Sequence, residues 1–121
     1  MDRGSVVIIS AKGDYGKPRP AIVVQDARME RVVDSITVCF LTTDLVEEGG
    51  TLRVDVAPTQ ENGLRERSQI QIEKLMTFPR EKVRGPVGRI DLTQMRAVDI
   101  GLLVHLGLAA QLGVPTPQLR P

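Results

Sequence analysis

The stretch Gly13–Asp26, GDYGKPRPAIVVQD, divides into two halves of opposite character. Gly13 and Gly16 give the first half backbone freedom, and Pro18 stiffens its exit. The second half, Ala21–Val24, is an apolar run of the length and composition of a buried β-strand. One arginine, Arg19, stands at the junction with a proline on either side. Pro20 biases it toward an extended backbone, so its guanidinium is carried by a restrained chain. A cation fixed where a pliable loop meets a rigid strand suits capture of a phosphate or carboxylate. A solvated arginine at a strand start is the plainer alternative.

Outward from that junction the chain reads mainly as strands. Ser5–Ser10 (SVVIIS) is a continuous apolar run, hence a buried strand, and Ala21–Gln25 is the next. Asp26–Ser35 is polar, a helical turn or an irregular connection. Ser35–Thr42 (SITVCFLT) is rich in β-branched residues and apolar on both faces. Leu52–Val56 alternates, as a half-exposed strand does, after a turn at Gly49–Gly50. Ser68–Thr77 alternates strictly, with Gln69, Gln71, Glu73 and Leu75 on one face and Ile70, Ile72, Lys74 and Met76 on the other. Pro86–Ile90 is a short sixth strand.

Asp91-Leu-Thr-Gln94 has the form of a capping box. Leu92, Met95, Val98, Leu102, Leu106 and Ala109 come next at helical spacing, so one helix is expected up to Gly113 and Pro115. Gly101 and Gly107 weaken it by up to about 1 kcal/mol each, which leaves packing to hold it. Five or six strands and one helix give an α+β class, a small curled sheet or partly open barrel. The expected organisation is one domain over 1–113 with a disordered tail at 114–121.

With 121 residues the chain can bury roughly two-thirds of its unfolded surface. Tyr15, Phe40 and Phe78 are its only aromatics, so the core is built from Val, Ile and Leu. Cys39 is the single cysteine, which excludes an internal disulfide and suits a reducing cytoplasm. No apolar run approaches membrane-spanning length. The net charge of +1 is too small for bulk attraction to nucleic acid. Acidic residues nevertheless gather in 44–61 and basic ones in 80–96, so local anion sites are compatible with near neutrality.

One His and one Cys cannot make a zinc or iron site, and no carboxylate cluster has calcium-loop spacing, so no metal or cofactor is expected. His105 reads as a packed or rim histidine, and Cys39 as core. What remains is a polar set at strand ends: Arg19, Thr42–Thr43, and the Gln69/Gln71/Glu73 stripe. If the second and third strands pair antiparallel, Arg19 approaches Thr42. A cation and a hydroxyl so placed can bind a phosphodiester.

The order of these segments resembles that of the MazF/PemK (Kid) family of toxin endoribonucleases. KPRPAIVVQ (Lys17–Gln25) is similar to the family's RP motif, and RGSVVII (Arg3–Ile9) more loosely to the strand before it, with Ser5 where an acid is usual. VCFLTTD (Val38–Asp44) resembles the second motif, although Phe40 replaces a small residue or proline. GLRERSQIQIEKLMTF (Gly63–Phe78) and GRIDLTQMRAVDIGLLVHLGL (Gly88–Leu108) resemble the remaining two. The likeness covers nearly the whole chain.

That resemblance implies an SH3-like β-barrel with a C-terminal helix, a homodimer, and metal-independent cleavage of single-stranded RNA restrained by an antitoxin. It implies catalytic roles for Arg19, Thr42 and Glu73. Lys12, Tyr15, Lys17, Thr43, Gln69 and Gln71 are the expected RNA contacts. Some plasmid-borne members carry an arginine where this chain has Gln71, and Lys74 and Met76 replace the usual Gln and Arg. Glu73 is therefore open to two roles, base or specificity residue. The rival reading is a non-catalytic, CcdB-like barrel that binds gyrase or another protein; a degenerate member that only binds is a third.

Overall fold

The computed structural model describes residues 1–10 and 17–116. Lys12 and Tyr15, and residues 117–121 of the expected tail, lie outside them. Six strands form one sheet: β1 (Ser5–Ile9), β2 (Arg19–Val23), β3 (Ser35–Thr42), β4 (Arg53–Val56), β5 (Ser68–Pro79) and β6 (Val83–Arg89). Their order is β4-β5-β3-β2-β1-β6, and every neighbouring pair is antiparallel. β4 and β6 are the edges, so the sheet is open.

The strands are apolar on both faces because both are covered. One face packs Val6, Ile22, Cys39, Leu41, Val54, Ile70 and Ile72 against Met95 and Val98 of helix α1 (Leu92–His105). The other gathers Val7, Ile9, Ala21, Val23, Ile36, Val38, Phe40 and Val83, with Phe78 and Met1 against them. Alternation along β1, β2 and β3 sorts these residues into two clusters, as period-two geometry requires.

Strict alternation fails in β5. Leu41 faces Ile70 and Cys39 faces Leu75, so five steps of β5 run against two of β3. The bulge reverses the facing of the residues beyond it. Leu75, expected with Gln71 and Glu73, instead packs with Ile70 and Ile72 in the helix-side core.

α1 opens with the expected box: Asp91 accepts from the Gln94 backbone N–H, and the Gln94 side chain accepts from that of Asp91. It does not run to Gly113. Gly107, at φ 73°, takes the left-handed conformation that ends a helix, and a short α2 (Leu108–Leu112) comes after it. Gly101 is no defect in α1. A Cβ there would stand 2.5 Å from the Thr51 carbonyl oxygen and 3.0 Å from Ile72 Cγ1, so the glycine lets the helix press onto the sheet. β2 begins at Arg19, two residues before the apolar run, and β6 at Val83, three before Pro86.

Candidate active site

Antiparallel pairing of β2 with β3 sets Ala21 against Phe40. The strand start at Arg19 is thereby brought beside the strand end at Thr42. Both line a cavity of about 220 Å³, with Pro20, Leu41, Thr43 and Ser68 completing the wall. Arg19 is half-buried, and its Cζ lies 4.3 Å from the centroid of the Phe40 ring. Among the described residues its guanidinium makes no ion pair. It is an oriented cation with hydrogen-bonding capacity to spare.

The Thr42 hydroxyl accepts from the Asp44 backbone N–H at 3.0 Å, the local turn that threonine favours at a strand end. With that lone pair engaged, the O–H proton remains for a phosphate oxygen. Thr43 is exposed at the rim, and Lys17 is exposed two residues before Arg19.

The polar stripe of β5 divides. Gln69 pairs across the ladder with Thr42 but is buried, with its amide spent inside the protein. Its Nε2 donates to Val46 O at 2.8 Å and to Asp55 Oδ1 at 2.9 Å. Its Oε1 accepts from Val46 N at 3.0 Å and from Arg53 Nη1 at 3.2 Å. Gln71 is also buried, and its Oε1 has no partner among the described residues. Glu73 pairs with Arg53, Oε1 to Nε 3.8 Å, while its Oε2 is buried without a donor among the described residues. It does not line the Arg19–Thr42 cavity. The bulge does keep the segment 71–74 level with Phe40, the residue that carries Arg19 on its ring.

Cys39 offers no nucleophile. Burial, reinforced by the charge of Glu73, pushes its thiol up to about 12, so it stays protonated at neutral pH. His105 is exposed at the end of α1 and is not part of the cavity wall. Among the described residues no three His, Cys, Asp or Glu side chains converge as metal ligands. No helix among them is long and apolar enough to cross a membrane.

Two residues of this neighbourhood, Ser68 and Arg53, escape a reading of the sequence. Ser68 lies at the end of a charged loop, with nothing local to mark it. Arg53 can be found only by pairing β4 with β5, which sets it opposite Gln71. A larger cavity, about 770 Å³, opens beside the start of α1. It contains none of the polar atoms left without partners, and the α1 cap satisfies itself.

The family of PemK-like, MazF-like toxins of type II toxin–antitoxin systems matches residues 2–106. A Mycolicibacterium smegmatis protein named probable endoribonuclease MazF is 38% identical over 110 residues, covering 90% of this chain and 99% of that one. In fold the chain is similar to Mycobacterium tuberculosis toxin MazF-mt6, at TM-score 0.72 and 20% identity over 86% of this chain and 97% of that one. It is also similar to a chain of the MazE-MazF structure (Form-II) from Deinococcus radiodurans, at TM-score 0.71 and 17% identity over 89% and 96%. At those identities the two structures speak for the fold alone.

Proposed function

The chain belongs to the family of PemK-like, MazF-like toxins of type II toxin–antitoxin systems, and from that premise we propose that it is an endoribonuclease toxin. It cleaves single-stranded RNA at short sequences without a metal ion, and a cognate antitoxin neutralises it. The observation that supports this most directly is that Arg19 and Thr42 wall one cavity. That cavity and the family match favour cleavage over the gyrase-binding alternative. The working unit is a cytoplasmic homodimer of one domain over residues 1–113, its curled sheet in the SH3-like style.

The reaction uses the substrate's own 2′-OH. Its oxygen attacks the adjacent phosphorus as its proton leaves to a base. The P–O5′ bond breaks, and the leaving oxygen takes up a proton. The products end in 2′,3′-cyclic phosphate and 5′-OH. Arg19, always protonated, stabilises charge on the pentavalent phosphorus through its planar fork. Thr42 donates to a non-bridging oxygen. Glu73, held in its pair with Arg53 and set outside the cavity wall, keeps two roles, receiver of the 2′-OH proton or specificity residue. Lys12, Tyr15, Lys17 and Thr43 are the proposed RNA contacts, while the buried Gln69 and Gln71 act through the residues they support.

Incubation with a long RNA in excess EDTA, with mapping of the fragment ends, tests this. Cleavage at a recurring short sequence with cyclic phosphate ends is expected. Strict dependence on magnesium, or 5′-phosphate ends, would refute the mechanism.

A further inference from the structure

We propose that Arg53 and Gln69 form a clamp that sets the Thr42 hydroxyl for reaction, which makes both of them positioning residues. The inference rests on the catalytic role proposed for Thr42. Its basis is a set of hydrogen bonds that converge on one short segment. Arg53 Nη1 donates to the Asp44 carbonyl at 3.3 Å and to Gln69 Oε1 at 3.2 Å. Gln69 in turn holds both peptide groups of Val46, accepting from its N–H at 3.0 Å and donating to its carbonyl at 2.8 Å. Immediately before these anchors in the chain, the Asp44 N–H donates to Thr42 Oγ1.

Packing does not hold this segment. Leu45 and Val46 expose 46% and 44% of their surface, so the hydrogen bonds carry the task that buried side chains perform elsewhere. The anchors themselves are firm. Gln69 is 4% exposed, Arg53 lies on β4 opposite Gln71, and Asp55 Oδ1 accepts from the far side of the Gln69 amide. Arg53 also holds Glu73 through its Nε. One guanidinium thus spans the base of the β3–β4 connection and the acid of β5. Without it, the Asp44 N–H drifts from Thr42, the hydroxyl rotates freely, and the share of molecules with its proton aimed at the phosphate falls.

Arg53→Met removes the donors and keeps much of the stem, while Arg53→Lys keeps the charge and can reach one acceptor. On an RNA with a mapped cut site, Arg53→Met should lower kcat about a hundredfold, the scale of an ångström-level misplacement. KM should stay nearly unchanged, and Arg53→Lys should recover part of the rate. In a background carrying both Thr42→Val and Glu73→Gln, which removes the other group that Arg53 holds, Arg53→Met should cost little more, because its remaining effect passes through that hydroxyl. Additive losses, or a raised KM with kcat intact, would overturn the clamp. If Arg53→Met does not fold, Gln69→Met, close in shape, uncharged and without the amide, takes its place with the same outcomes. A second readout needs no cleavage: amide exchange at Asp44 and Val46 should quicken in Arg53→Met. Unchanged exchange would overturn the clamp even in an active enzyme, whereas quickened exchange in a chain that cuts no RNA would refute the function and leave the clamp standing.

Discussion

The Arg19 guanidinium lies over the ring of Phe40, Cζ to centroid 4.3 Å, and Phe40 meets Phe78 edge to face at 5.7 Å and 82°. The phenylalanines of a chain poor in aromatics are thus stacked behind its candidate catalytic cation. A ring face attracts a guanidinium without using its N–H donors. Phe40 therefore orients Arg19 and leaves the hydrogen-bond donors of its planar fork unspent.

Phe40→Leu keeps the position apolar and removes the ring face. A cation–π contact worth about 1 kcal/mol or somewhat more converts to a rate loss on the order of tenfold. The expected outcome is a cleavage rate reduced by that order, with the circular dichroism spectrum kept. A rate equal to wild type would show that Arg19 is held by other means.

Gly101→Ala separates helix propensity from packing. In an exposed helix the change would gain about 1 kcal/mol. Here the new Cβ meets the Thr51 backbone oxygen at 2.5 Å and Ile72 at 3.0 Å. Overpacking of that kind costs about 1–3 kcal/mol, so the balance falls against the variant. Urea unfolding should show a lower midpoint at similar slope. A midpoint above wild type would mean that α1 shifts outward at no cost.

Cys39 gives a pH prediction with a definite sign. Its thiol titrates near 9.0 when unfolded and is held protonated up to about 12 when folded, first by burial and then by Glu73. Between those values the unfolded chain binds fewer protons, so stability falls as pH rises. The contribution is complete below pH 9 and lost by about pH 12. Cys39→Ala should start less stable, then lose less than wild type over that window. A thiol reagent at pH 8 should leave native Cys39 unlabelled; rapid labelling without unfolding would contradict the burial.

Much of the site is legible in the sequence because strands announce themselves locally. The bounds of β3 and the Asp91 cap are set by adjacent residues, and antiparallel β2–β3 pairing alone brings Arg19 to Thr42. The illegible parts are long-range. The β5 bulge arises from pairing with β3, so a period-two reading puts Leu75 on the wrong face. Arg53 acquires its partners from β5 and from the segment after β3, which no window around residue 53 contains. The open sheet depends on whether β4 meets β6, again a tertiary matter. Gly107 reads locally as a weak helix residue, whereas its left-handed conformation divides α1 from α2.

Arg19 and Thr42 allow fold and chemistry to be tested separately. Arg19→Lys preserves charge and loses the planar fork. If that fork stabilises the phosphorane, the rate should fall on the order of a hundredfold or more, the magnitude for one transition-state donor. Arg19→Ala should lose at least as much. Neither variant should unfold the protein, because Arg19 is only half-buried and makes no ion pair among the described residues. Thr42→Val keeps the shape and removes the hydroxyl, so cutting should suffer more than RNA binding. Single-turnover cleavage gives the rates, filter binding to a 2′-deoxy substrate gives the affinities, and circular dichroism controls for folding. Near-native cutting by Arg19→Ala would return that side chain to a solvated residue at a strand start. The cavity it shares with Thr42 would then be a binding surface, and a non-catalytic module the better account of the chain.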